Sequence, residues 1–173
     1  MGNDSDSACL NPLAHKKLLM TKQVIIRKGT LQDVAVITEF NKRMAKETEN
    51  KLLDEKRVLA GALNLVKNPE YGFYLVAEKQ GEIMAALMIT TEWSDWRDGN
   101  FWWIQSVYVR SEFRRQGVFS LLYQTVSDLA KQQGDVCGIR LYVEQNNSVA
   151  QRTYESLGMK DAHYKVYEME MVK

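Results

Sequence analysis

Two arginines and a glutamine lead into a single glycine at Arg114-Arg115-Gln116-Gly117, and an amphipathic helical pattern follows at once. A helix N-terminus offers unpaired N–H groups and about half a positive charge, which suits an anion such as phosphate. Gly117 has no Cβ, so a ligand could approach the backbone closely there, and guanidinium groups bind phosphate oxygens through two donors. The segment therefore predicts a local anion site. Taken alone, the segment is better explained as a solvated basic turn before a helix.

A second pattern lies downstream, in the stretch EQNNSVAQRTYESLGM. Asn147 and Tyr154 are about two helical turns apart, so they share one face of the predicted helix. Two polar side chains on one helix face are a candidate for a functional site. The alternative is structural, with Asn147 as a helix N-cap and Tyr154 as a core residue with a satisfied hydroxyl. The occurrence of both patterns in one chain favours a functional site.

Composition excludes several classes of partner. The 173 residues carry a formal net charge of +1, so no global field attracts nucleic acid or an anionic membrane. The two cysteines give no disulfide framework. His15 and His163 are isolated, which leaves no predicted metal site.

Residues 1–21 are polar and aperiodic and are predicted to form a flexible N-terminal extension, followed by a single domain over 22–173. The sequence contains no apolar run of the roughly 18 residues that a membrane span requires. Acidic residues stand where a signal peptide would carry positive charge. We therefore expect a soluble, cytoplasmic protein.

Hydrophobic periodicity predicts an α/β domain with a mixed sheet and the element order βααβββαβαβ. The stretch FWWIQSVYV is nearly continuous apolar, as a central strand covered on both faces would be. Helices are predicted at 30–47, at 54–69, after Gly117, and from Asn147 to Leu157. Strands are predicted at 24–29, 71–80, 82–93, 101–109, 137–144 and 163–171.

The order of these motifs resembles the GCN5-related N-acetyltransferase (GNAT) family over about residues 23–171. The resemblance is carried by a strand ending in VYV, the RRQG helix start, a further strand, and NSVAQRTYESLGM. It implies a mostly antiparallel sheet flanked by about four helices. It also implies an enzyme, an N-acetyltransferase that uses acetyl-coenzyme A and a small-molecule amine acceptor. Homodimers are common in the family, which makes a homodimer a further expectation.

The resemblance also implies roles for individual residues. The central strand would bind the pantetheine arm through its backbone, and a bulge near its end would free N–H groups for the acyl oxygen. The loop amides would hold the diphosphate, and Tyr154 would protonate the departing thiolate. The positions implied to contact acetyl-coenzyme A are Val107, Tyr108, Val109, Arg114, Arg115, Gln116, Gly117, Val118, Phe119, Ser120 and Asn147.

Two positions depart from the family pattern. Phe119 stands where the family usually has Gly or Ala, so its ring must turn away from the diphosphate. Gln105 stands where many members carry a catalytic glutamate, and an amide cannot take a proton but could orient a water molecule. Glu92 is the candidate for a substitute base, although a solvated strand-end charge explains it too.

The acceptor site is predicted from aromatic and acidic residues. Trp93 and Trp96, with Glu47 and Glu49, would suit a cationic amine such as a polyamine through cation–π and Coulomb terms. Core tryptophans and ordinary surface acids explain the same residues, and a peptide amine remains an alternative acceptor. Two further functions stay open: a non-catalytic acyl-coenzyme A sensor, which Gln105 favours, and a nucleotide-phosphate binder.

Overall fold

The computed structural model describes residues 24–171, so the predicted extension at 1–21 lies outside the described residues. The chain divides into two compact units, the first ending at Tyr142 and the second beginning at Val143. The elements are β1 (Ile25–Lys28), a 3-10 turn (Leu31–Asp33), α1 (Val34–Glu49), α2 (Glu55–Lys67), β2 (Phe73–Lys79), β3 (Glu82–Ser94), β4 (Gly99–Val109), a 3-10 turn (Ser111–Phe113), α3 (Val118–Gln133), β5 (Val136–Leu141) and α4 (Ser148–Ser156).

The first unit is built on a five-stranded sheet whose strands follow chain order, β1-β2-β3-β4-β5. Neighbours are antiparallel from β1 to β4, and β5 runs parallel to β4. The parallel pair needs a crossover connection, which α3 provides. The mixed, mostly antiparallel sheet and the four helices confirm the predicted fold class.

Local signals account for most of the element boundaries. The carboxylate of Asp54 accepts the Arg57 N–H at 2.8 Å and caps α2. Gln80 and Gly81 both have positive φ, as a two-residue hairpin between β2 and β3 requires. Gly134 ends α3 in the left-handed conformation.

Each face of the sheet is covered by different helices. On one face α1 and α2 pack against the sheet through a cluster that includes Ile37, Phe40 and Val76. On the other face α3 packs through Leu122 and Val126, which are fully buried. The sheet is therefore the middle layer of the first unit, and β4 contributes side chains to both clusters.

The second unit contains α4 and a C-terminal segment without regular secondary structure. The strand predicted at 163–171 is therefore wrong. Its residues alternate as a strand would, but a strand forms only where a neighbour pairs with its N–H and C=O groups. Alternation along one segment does not supply that pairing. The large side chains left exposed there are Tyr164, Val166, Tyr167, Met169 and Met171.

Across residues 24–171, no helix combines the length and the apolar character that crossing a lipid bilayer would require.

Candidate active site

The central strand β4 is interrupted by a bulge. Tyr108 pairs with Ala86 on β3 and Gln105 pairs with Met88, so two residues of β4, Ser106 and Val107, face one residue of β3. Ser106 has φ +50°, a conformation that a regular strand does not contain. The bulge implied by the family resemblance is thus present, centred just before Tyr108 and Val109. Bulged backbone leaves polar groups outside the ladder, where they can bind another molecule.

The turn between β4 and α3 contains two residues with left-handed backbone. Arg115 has φ +60° and Gly117 has φ +84°, so the chain turns sharply into the helix. The first hydrogen bond of the helix runs from the Leu121 N–H to the Gly117 carbonyl at 3.1 Å. The N–H groups of the first helical turn therefore point out of the helix end. Val118 is buried and anchors the turn to the core, while Ser120 is exposed.

Two further side chains define the surface of this turn. The ring of Phe119 is half-buried and lies beside Tyr123, one helical turn further on, with 6.3 Å between ring centroids. The Gln116 side-chain amide donates to the Glu112 carbonyl at 2.6 Å. Both side chains are therefore held close to α3 and its preceding turn.

The Arg114 side chain is engaged within the protein. Its Nε donates to the Val109 carbonyl at 2.8 Å, and its terminal nitrogen donates to Glu47 at 2.5 Å. The guanidinium also lies over the Tyr108 ring, 5.4 Å from the centroid. In this conformation Arg114 connects the turn to the end of α1, and the candidate donors for an anion are the backbone amides.

Glu47 accepts hydrogen bonds from two sides. The Tyr108 hydroxyl donates to its other oxygen at 2.9 Å. Burial alone would raise the pKa of Glu47, but the hydrogen bonds from Arg114 and Tyr108 outweigh it and hold that pKa below its ordinary value. Glu47 is therefore an ionised carboxylate whose charge is already balanced by a protein cation.

The two residues considered as base or water-orienting group also have partners. Gln105 donates from Nε2 to the Thr90 hydroxyl at 2.6 Å. Glu92 accepts from the Trp103 indole N–H, and its second oxygen accepts from Arg140 at 2.9 Å. These contacts fix the orientation of both side chains on the sheet face that α1 and α2 share.

Of the other predicted acceptor residues, Trp93 and Trp96 lie apart from the bulge. Trp93 and Trp96 are 59% and 89% exposed, near the hairpin end where Ser94 pairs with Gly99. Ser106 comes seven positions after Gly99 along β4, a span of about 23 Å along a strand. Glu49, at the C-terminal end of α1, is exposed. Their acceptor role stays a prediction.

A cavity of about 380 Å³ opens between α1, α2 and the sheet. We call it the α1–α2 cavity. Sequence analysis missed it, although a signal was present: α2 presents Gly61, which has no side chain, at helical spacing between Val58 and Leu65. The cavity is lined by Asn41, Met44, Leu53, Val58, Gly61, Ala62, Asn64, Leu65, Tyr71, Tyr74, Met88 and Ser106.

In the second unit, Asn147 and Tyr154 lie on α4 as predicted. The Asn147 side-chain oxygen accepts the Ala150 N–H at 3.0 Å, so Asn147 is the N-cap of α4. Gly158 follows the helix with φ +87°, and the Met159 N–H donates back to the Tyr154 carbonyl at 3.1 Å. Burial raises the pKa of the Tyr154 phenol above its ordinary value, so this group stays protonated at neutral pH.

Comparison with known proteins identifies the relatives of this chain. Residues 34–159 match the model of the acetyltransferase (GNAT) family. The crystal structure of a possible acetyltransferase from Clostridium difficile 630 is 41% identical, with a TM-score of 0.81, and the match covers 87% of this chain and 99% of that chain. No curated protein matches this chain.

Two more distant structures share the fold. A predicted acetyltransferase with acetyl-CoA from Clostridium acetobutylicum is 17% identical, with a TM-score of 0.70 over 84% of this chain and 96% of that chain. An aminoglycoside N-acetyltransferase in complex with CoA is 14% identical, with a TM-score of 0.69 over 86% of this chain and 95% of that chain.

Proposed function

Because this chain belongs to the GNAT acetyltransferase family, we propose that it transfers the acetyl group of acetyl-coenzyme A to the primary amine of a small molecule. Family membership makes it an acetyl-coenzyme A-dependent acyltransferase. The observation that carries the proposed reaction is a bulged central strand followed, after a short turn, by a helix that begins at a left-handed glycine, Gly117.

The residues of the turn fit the diphosphate of the cosubstrate. Acetyl-coenzyme A supplies the acetyl group as an activated thioester. The N–H groups between Arg115 and Ser120 would hold its diphosphate, because a helix N-terminus presents oriented donors and a partial positive charge. Gly117 keeps the approach open by having no Cβ. The backbone from Val107 to Val109 would hold the pantetheine arm. For Asn147, a contact with coenzyme A stays a prediction from the family resemblance.

The bulge at Ser106 and Val107 suits the acyl oxygen. An N–H group outside the ladder can donate to the oxygen on which negative charge develops during attack. Such preorganised donors are among the largest contributions to acyl transfer, and loss of one typically costs about 10²-fold or more in rate. Because the bulge lies in a strand that is paired on both sides, its N–H donor is held in position for the acyl oxygen and does not need to reorganise during the reaction.

Tyr154 is the proposed proton donor. Its phenol remains protonated at neutral pH because burial raises its pKa. A proton delivered to the departing sulfur prevents the thiolate from attacking the new amide.

Position 105 is a glutamine, so it provides no carboxylate base that could deprotonate the amine. A free primary amine with a pKa near 10.4 is neutral in on the order of one molecule in a thousand at pH 7. Gln105 can orient a water molecule. Glu92 already accepts hydrogen bonds from Trp103 and Arg140, so both of its carboxylate oxygens are engaged within the protein.

Thiol release from acetyl-coenzyme A, followed with a thiol-reactive dye across a panel of amines, tests the proposal. The panel holds monoamines, polyamines, amino acids, aminoglycosides and peptides with free amino groups. Turnover on one class that is lost in Tyr154→Phe supports acetyl transfer and identifies the acceptor class. Binding of coenzyme A without turnover on any amine would instead support the acyl-coenzyme A sensor that Gln105 favours.

A further inference from the structure

We propose that the acceptor is a monoamine with an apolar body, and that this body binds in the α1–α2 cavity with its amino group at Ser106. The inference rests on the proposed acetyl transfer and assigns its acceptor class.

The walls of the cavity are mainly hydrocarbon. Val58, Ala62 and Leu65 contribute from α2, and Met44 and Met88 contribute from α1 and β3. Methionine side chains adapt their shape to an apolar ligand. The volume of about 380 Å³ is at the small end of the range for ligand sites, which suits a small amine.

The charge of the lining decides against a polyamine. None of the residues that line the cavity is Asp, Glu, Lys, Arg or His. Glu47 lies on α1 but outside the lining, and its carboxylate is paired with Arg114. The cavity is open to solvent on one side, where Tyr71 is exposed. An ammonium group that lost its water against the apolar lining would meet no opposite charge there, so a second cationic centre is disfavoured.

The polar groups of the lining are neutral hydrogen-bonding groups. Tyr74 is almost fully buried and hydrogen-bonds with Asn41. Burial raises the pKa of the Tyr74 phenol more than the contact with Asn41 lowers it, so the phenol stays uncharged. Asn64, Tyr71 and Ser106 add further amide and hydroxyl groups. Such groups orient a neutral amine without requiring a charge.

Ser106 connects the cavity to the proposed site of acetyl transfer, because it belongs both to the cavity lining and to the bulge of β4. An amine that loses part of its hydration there is shifted towards its neutral form, because desolvation disfavours the ammonium ion. The neutral form is the nucleophile. Partial desolvation of the acceptor therefore supplies part of the activation that a glutamate in place of Gln105 would have supplied.

A matched pair of amines tests the acceptor class by binding alone. Hexylamine and 1,6-diaminohexane have the same chain length, and the second carries an additional ammonium group. Titration calorimetry at pH 8 with coenzyme A present should show hexylamine binding at least tenfold more tightly. Repeating the titration in two buffers of different ionisation enthalpy should show release of close to one proton per amine. Equal or tighter binding of the diamine, or binding without proton release, would overturn the proposal.

A variant that fills the cavity tests the location. Gly61 lines the cavity and has no atom within 4 Å of an added Cβ, so Gly61→Leu can be accommodated and also raises helix propensity. It should weaken hexylamine binding at least tenfold while leaving coenzyme A binding within about twofold. Ala60→Leu is the matched control, since Ala60 is exposed on the same helix and does not line the cavity. Equal hexylamine binding in the two variants would exclude the cavity as the site.

The binding experiment and the turnover experiment distinguish failure of the assigned acceptor site from failure of the proposed reaction. Hexylamine binding that Gly61→Leu abolishes, without acetyl transfer, would support the assigned ligand class and contradict the proposed reaction. Acetyl transfer to amines that is insensitive to Gly61→Leu would support the reaction and overturn the assigned site.

Discussion

Glu47 and Arg114 form an ion pair of 2.5 Å that joins the end of α1 to the turn before α3, across 67 residues of sequence. Their side chains are 42% and 43% exposed, and ion pairs of this kind contribute about 0–1 kcal/mol to stability. Their importance is positional. The pair keeps the guanidinium of Arg114 at the Val109 carbonyl. It also neutralises the Glu47 carboxylate, which would otherwise attract a cationic acceptor.

Glu47→Gln should therefore have little effect on acceptor binding. We expect the KM for the best amine to change by less than about threefold, because the Tyr108 hydroxyl and Arg114 already occupy the carboxylate. Steady-state kinetics with the amine varied at saturating acetyl-coenzyme A measures this, and Glu49→Gln serves as a comparison at an exposed position of the same helix end. A tenfold rise in KM for a diamine in Glu47→Gln alone would support Glu47 as an acceptor-binding residue.

Gly117→Ala should weaken coenzyme A binding at least tenfold. An L-residue in the left-handed conformation costs about 1–2 kcal/mol, and the new Cβ would lie at the helix end where the diphosphate is proposed to bind. Gly134 is the matched control, since it caps the other end of α3 with φ +78° and has open space around an added Cβ. Calorimetric titration with coenzyme A should show weaker binding in Gly117→Ala and unchanged binding in Gly134→Ala. Equal binding in both would place the diphosphate elsewhere.

Features with a local cause could be predicted from the sequence. Gly117 and Gly158 have the positive φ that glycine alone adopts at little cost, and Asn147 caps the helix whose start it predicted. Strands β2 and β3 followed from their apolar runs and from the tight turn that Gly81 indicates between them. Each of these signals depends on residues within a few positions of one another, so one segment contains all of the information.

Features that depend on distant partners could not be predicted. The strand expected at 163–171 had the right alternation, but pairing is a property of two segments. The contact between Glu47 and Arg114 joins two elements whose packing no single segment specifies. The α1–α2 cavity likewise exists only because α1, α2 and three strands leave space around Gly61.

The acid stability of the protein should depend on Asp33. Its side chain is only 5% exposed and accepts two bonds from Arg27, at 2.7 and 2.9 Å. The hydrogen bonds from Arg27, opposed by burial and aided by Thr30, lower the pKa of Asp33 from 3.8 to about 2. The ionised form therefore contributes about 2 kcal/mol to the free energy of unfolding above pH 3.8, and this contribution disappears as the pH falls through about 2.

Asp33→Asn should remove that contribution at neutral pH. We expect the free energy of unfolding, measured with urea at pH 7, to fall by about 2 kcal/mol, and its decline between pH 4 and pH 2 to become shallower. Asp54→Asn is a suitable comparison, because asparagine also caps helices. An unchanged pH dependence in Asp33→Asn would mean that other carboxylates control acid unfolding.

Tyr154→Phe should separate chemistry from binding. The phenylalanine keeps the ring and removes the hydroxyl that we propose protonates the departing thiolate. We expect kcat to fall by about 10²-fold, the low end of the range for general acid catalysis, because a thiol with a pKa near 8.5 leaves moderately well as the thiolate. The affinity for coenzyme A should remain within about threefold. Tyr164→Phe, at an exposed position of the same unit, should match the unmodified protein in both measurements. A Tyr154→Phe protein with full kcat would remove Tyr154 from the mechanism, and a loss of coenzyme A affinity equal to the loss of kcat would make it a binding residue.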